Sequence, residues 1–103
     1  MSKKQRKTKE KWTITDNNAS ALVRAFLSMK SSAEMKAFMR DLLTESEIIE
    51  FSKRFYTAQA IAENTHYVGI ERVTGLSSRT IARIKKWYWN GTGGYKLAIK
   101  RRK

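Results

Sequence analysis

From residue 16 onward, apolar positions recur every third or fourth residue, the period of helices that bury one face. Ala19, Leu22, Val23, Phe26 and Leu27 make the first stripe, with Asp16 or Asn17 placed to cap it. Met35, Phe38, Met39, Leu42 and Leu43 make the second, behind Ser31-x-x-Glu34. That spacing is a capping box, in which each side chain satisfies a backbone N–H near the other. Thr44-x-x-Glu47 repeats the form and opens a longer helix carrying Ile48, Phe51, Phe55, Ala58 and Ala62. Ile49, Tyr56 and Ile61 fall off that stripe. A helix apolar on more than one side is central or wrapped by a partner. Asn64 is a reasonable stop. A short helix then runs from Thr65 or His66 to Gly75, and another, capped by Ser77, from Ser78 to about Trp89. Asn90-Gly91-Thr92-Gly93-Gly94 breaks the pattern. The expectation is an all-α fold of five to six helices, with no strand and no internal repeat.

Composition narrows the picture. A chain of 103 residues with 41% hydrophobic content supports one small domain. Its modest core makes shared burial with a second copy plausible. Pro is absent and four of the five Gly lie at or beyond Gly75, in keeping with uninterrupted helices before that point. The absence of Cys excludes disulfides, Cys-ligated zinc and thiol catalysis, and a single His excludes a multi-His metal site. No apolar run is long enough to span a membrane. The charged start has no apolar stretch behind it, so a cytoplasmic, nucleoid-associated location is expected. Met29, Met35 and Met39 are read as core filling.

The net charge of +13 is unevenly placed. Residues 1–11 hold six basic residues and one acid, and residues 96–103 hold five basic residues and no acid. The stretch 12–95 carries only +3. The division expected is a basic N-terminal tail at 1–15, a helical domain at 16–90, and a Gly-rich then basic C-terminal tail at 91–103. Trp12 and Ile14 are candidates to anchor the start of the fold. Such tails are solvated ends, phosphate binders or lipid contacts. The lipid reading is the weakest, because neither tail has a strong apolar helical face. Phosphate binding adds affinity without sequence choice.

Residues 66–89 carry the functional signal. Ile70 and Val73 are expected to point inward from a short helix, and Gly75 to end it at positive φ, which glycine adopts at little cost. Leu76 fills the turn, and Ile81 and Ile84 are the inward positions of the next helix. This is the spacing of a helix-turn-helix, whose second helix enters the DNA major groove. The outward residues there, Ser78, Arg79, Ala82, Arg83, Lys85 and Lys86, include no acid. Arg79 lies in the first turn, and an arginine can bind guanine O6 and N7 with two hydrogen bonds. Ser77, Ser78 and the helix N-terminus are donors for phosphate. Glu71 stands at the fifth motif position, usually small, which favours a variant crossing of the two helices. An ordinary helical hairpin has the same spacing; the acid-free face and the basic tails argue against it.

Over residues 41–95 the chain resembles the Trp-repressor-like family. The resemblance rests on Asp41-Leu42-Leu43-Thr44 opening the long helix, Thr74-Gly75-Leu76-Ser77 at the turn, and Thr80-Ile81-Ala82-Arg83 in the recognition helix. Asn90-Gly91-Thr92-Gly93-Gly94-Tyr95 is similar to the glycine-rich ending of the uncharacterised bacterial branch of that family. The resemblance implies an intertwined helical homodimer with two helix-turn-helix units on successive major grooves. In the repressor proper, tryptophan is a corepressor held between two arginines, and Arg54 and Arg83 stand at the matching positions, with Thr44 and Thr80 beside them. Ile84 stands where the family has glycine beside the ligand, and Trp87 where a serine binds its amino group. The pocket of Thr44, Arg54, Arg83, Ile84 and Trp87 is therefore read as vestigial, filled by Ile84 or Trp87, and tryptophan binding is not expected. A surface or phosphate-contacting role is the alternative for Arg54 and Arg83.

Little supports catalysis. Glu45, Glu47 and Glu50 cluster at a helix start, where acids suit the macrodipole. His66 has no Cys or His partner, and a capping or surface role is expected. Gly91-Thr92-Gly93-Gly94 is not followed by the Lys-Ser or Lys-Thr of a phosphate-binding loop. Trp87, Tyr88, Trp89 and Tyr95 interleave with Lys85, Lys86 and Lys96, a composition that can stack unpaired bases or simply pack the end of the recognition helix. No metal or cofactor is expected. The sequence reading is a sequence-specific, double-stranded DNA-binding transcriptional regulator, with Ser77, Ser78, Arg79, Thr80, Arg83, Lys85 and Lys86 as its contact surface. A nonspecific DNA- or RNA-binding accessory protein and a protein–protein adaptor are the alternatives.

Overall fold

The computed structural model describes residues 13–102. The basic run before it, with Trp12, lies outside the described residues, as does Lys103. Six helices follow in order: α1 (Asn17–Ser28), α2 (Ser32–Leu42), α3 (Glu45–Ala62), α4 (Tyr67–Thr74), α5 (Ser78–Asn90) and α6 (Gly94–Arg101). No strand occurs among the described residues. The helices group into two compact units that divide within α3, after Glu50.

In the first unit the helix starts follow their side chains. Asp16 Oδ2 accepts from Ala19 N at 2.8 Å, and Ser31 Oγ from Glu34 N at 3.1 Å. Glu34 reaches back to Lys30 N at 2.8 Å, one residue before the cap. The box at Thr44 is fully reciprocal: Glu47 N donates to Thr44 Oγ1 at 3.1 Å, and Thr44 N to Glu47 Oε1 at 2.9 Å. Each such cap stabilises a helix by about 1 kcal/mol. Ile14, ahead of α1, is half-buried. Phe26 and Phe38 meet edge to face, with centroids 5.2 Å apart at 78°. Neither α1 nor α2 buries a residue fully, and Val23, Leu27 and Leu42 stay exposed.

The second unit holds the core: Ala58, Ala60 and Ile61 of α3, Ile70 of α4, and Ile81 and Ile84 of α5. The α3 helix ends in a Schellman turn. Asn64 takes φ +62°, its N–H donates to Ile61 O at 3.0 Å, and Thr65 N donates to Ala60 O at 2.9 Å. His66 occupies the N-cap position of α4, but its side chain makes no capping bond; of the capping or surface role expected for it, it takes the exposed surface one.

Two expectations change. Val73 is not inward; it is 64% exposed, and the buried position is Thr74. The inner face of α4 runs Tyr67, Ile70, Thr74, at i, i+3 and i+7. Thr74 tolerates burial because its hydroxyl donates to Ile70 O at 2.8 Å. The stretch read as a C-terminal tail contains α6. Its Tyr95 and Ile99, one turn apart, pack against the core, and this pairing was masked by the basic residues around it. The chain reaches α6 through Gly91, where a Cβ would collide with the Trp87 carbonyl oxygen and lie 2.6 Å from Trp87 Cε3.

Candidate nucleic-acid interface

The turn between α4 and α5 is fixed from both sides. Gly75 takes φ +75°, and its N–H donates to Glu71 O at 2.8 Å. Glu71 itself is half-buried. Leu76 N donates to Thr74 Oγ1 at 3.0 Å, so the buried threonine bonds both the last turn of α4 and the bend. Leu76 packs on the core, as the sequence implied. Thr80 N donates to Ser77 Oγ at 3.2 Å, and Ser77 Oγ donates to Thr80 Oγ1 at 3.1 Å. Ser77 is thus engaged in capping α5, while Ser78 stands exposed beside it.

With Ile81 and Ile84 buried, α5 presents two outward stripes. Arg79, Arg83 and Lys86, at i, i+4 and i+7, form one. Ser78, Ala82, Lys85 and Trp89, spaced by four, three and four residues, form the other. All seven residues are exposed; Thr80 is half-buried. Among the described residues no carboxylate pairs with Arg79, Arg83, Lys85 or Lys86. Lys85 Nζ instead lies 5.9 Å from the Tyr67 ring centroid, at cation–π range.

The residues read as a vestigial ligand pocket take the following places. Thr44 caps α3 in the first unit. Ile84 is buried in the core. Arg83 is on the outer face of α5. Arg54 lies over the Phe51 ring at 5.4 Å. Trp87 is 47% exposed and borders a cavity of about 370 Å³ with Thr92, Gly94 and Tyr95. Burial raises the Tyr95 pKa above 10.0, and the Arg54 charge partly offsets the shift.

The aromatic cluster divides. Tyr88 and Tyr95 pack on the core, but Trp89 remains 48% exposed. Tyr88 and Trp89 meet edge to face at 4.9 Å. Lys96 Nζ lies 4.6 Å from the Trp89 centroid and 5.5 Å from that of Tyr88. Sequence reasoning did not place Asn64, Thr65, His66 and Tyr67 beside Trp89, yet together with Ile61 and Lys85 they line a cavity of about 470 Å³. No group of three or more His, Cys, Asp or Glu suited to a metal ion occurs among the described residues. No described helix is long and apolar enough to cross a membrane.

A core-anchored bend followed by an acid-free, exposed helix defines a helix-turn-helix protein. The family model for Trp repressor protein matches residues 17–103, and the chain belongs to that family, one of DNA-binding regulators rather than enzymes. A curated relative, "Uncharacterized protein YerC" of Bacillus subtilis (strain 168), is 35% identical over 80 residues, covering 78% of this chain and 77% of its own. A solved structure described as a TrpR like protein from Eubacterium eligens ATCC 27750 superposes with a TM-score of 0.80 at 32% identity. That match covers 84% of this chain and 90% of the other.

Proposed function

We propose that the protein is a homodimeric transcriptional regulator of the cytoplasm that reads double-stranded DNA by sequence and needs no tryptophan. The observation that carries this is the Arg79, Arg83 and Lys86 stripe, held outward by the buried Ile81 and Ile84. Arg79, in the first turn of α5, contacts base edges, where a bidentate pair discriminates by about 1–3 kcal/mol. Lys85 and Lys86 take backbone phosphates, joined by the exposed Ser78 hydroxyl. Dimerisation is supported by the apolar surface that one chain leaves open, including Leu27, Ile49, Phe51 and Tyr56. Two such units present two α5 helices to successive major grooves, about 34 Å apart. Independence from tryptophan is supported by Trp87 standing at the serine position of the ligand site and by the isoleucine at residue 84.

Selection of bound duplexes from a random pool tests the reading. The expected product is a two-fold symmetric consensus; recovery of unrelated sequences would contradict it and favour a nonspecific accessory role. Calorimetric titration with L-tryptophan is expected to give no saturable heat at micromolar concentration, and a saturable one would overturn the corepressor-free account.

A further inference from the structure

We infer that the cavity formed by the α3–α4 turn, the start of α4 and the distal part of α5 binds a nucleotide, with its base against Trp89 and Tyr67 and its phosphate on Lys85. At about 470 Å³ the cavity is within the range of small-molecule sites. Its walls combine two aromatic rings with an amide, a hydroxyl and an imidazole, from Asn64, Thr65 and His66. A planar heterocycle uses all of these: rings stack on it, and polar groups hydrogen-bond its edges. A simple carboxylate or phosphate would leave the rings without a purpose.

The electrostatics fit the phosphate. Lys85 lines the cavity at the Tyr67 wall. The N–H groups that open α4 have no side-chain cap, and a helix start favours an anion. Glu63, next to Asn64 in the chain, is paired with Arg102 at 3.6 Å, which blunts its repulsion of an anion.

The site is separate from the base-reading Arg79, because Lys85 and Trp89 lie on the other outward stripe of α5, with Lys85 alone shared with the duplex backbone. A paired duplex cannot supply its ligand, since bases stacked in a helix expose no face to Trp89. The nucleotide comes from one of two sources: a free mononucleotide, or an unpaired residue of a single strand.

The test follows the Trp89 indole N–H by NMR in the full chain, assigned with Trp89→Phe. The probes are uridine and adenosine 5′-monophosphates, the parent nucleosides, inorganic phosphate and oligothymidylate. A saturable shift with a monophosphate below about 1 mM, tighter than with nucleoside or phosphate, supports a free nucleotide. A shift with oligothymidylate and none with the monophosphates supports the single-strand source. In either case the affinity read from the backbone amide resonances of Thr65, His66 and Tyr67 falls at least about fivefold in Trp89→Ala. Lys85→Gln, an exposed substitution that leaves the core intact, lowers it as well, while Lys100→Gln does not. Trp89→Ala retains the duplex consensus selected by the parent chain, which separates this site from the base-reading face. Absence of a shift with every probe, or phosphate binding as tightly as a monophosphate, would overturn the inference.

Discussion

Single side chains decide whether the α4–α5 bend holds. Thr74 does so with one hydroxyl, donating to Ile70 O and accepting from Leu76 N in the core. Thr74→Val keeps the shape but leaves the Leu76 N–H unpaired, and is expected to cost about 1–3 kcal/mol in urea unfolding. A loss below about 0.5 kcal/mol would show that the turn does not depend on this bond. Tyr95 links the fold to pH. Burial favours its neutral form, so its folded pKa exceeds the ordinary 10.0. Above that value the unfolded chain releases the proton while the folded chain holds it, so stability is intact below and falls as pH rises through the folded value. Tyr95→Phe removes this contribution, and its stability should decline less steeply than the parent's above pH 10.0. Parallel declines would contradict the assignment.

At the scale of helices, much was legible because the signals were local. Asp16, Ser31, Thr44 and Ser77 each accept the backbone bond that their spacing implied. Asn64 and Gly75 take the left-handed conformations expected of helix stops. Where the reading departed, a local rule met a tertiary contact. Val73 is the more apolar residue, but Thr74 has the phase that faces the core and a carbonyl within reach of its hydroxyl. The α6 helix was obscured because its charge outweighs its two core contacts, Tyr95 and Ile99. The cavity beside Trp89 was illegible because Asn64–Tyr67 and Trp89 meet only once α3, α4 and α5 are packed. Within α5, base-reading and phosphate-binding residues predict separable phenotypes. Lys86→Ala should weaken binding to all duplexes by a similar factor and reduce the salt slope by about one, as for the loss of one phosphate contact. A loss confined to one sequence would move Lys86 to the base-reading group.

For the whole molecule, the two-sided apolar pattern of α3 was the most informative feature of the sequence. The chain by itself leaves Ile49, Phe51 and Tyr56 of that helix exposed, and the first unit has no fully buried residue in α1 or α2. Full burial of a large apolar side chain stabilises by about 1.5–3 kcal/mol, and covering the exposed half of each of these recovers about half of that, a drive toward a second copy. Sedimentation equilibrium should therefore show a dimer at micromolar concentration, and Ile49→Asp should shift it toward monomer. A monomer with the parent's helical content would contradict the homodimer.

The central claim is that the outward stripe of α5 reads base sequence, and Arg79→Ala tests it most directly. Affinities of the parent and this variant are measured side by side, at one salt concentration, for the selected duplex and for a scrambled duplex of equal length. The account predicts a loss of about 1–3 kcal/mol on the selected duplex, with a much smaller change on the scrambled one. Equal losses on the two duplexes would show that Arg79 contributes charge alone, and would contradict the assignment of α5 as the reading element.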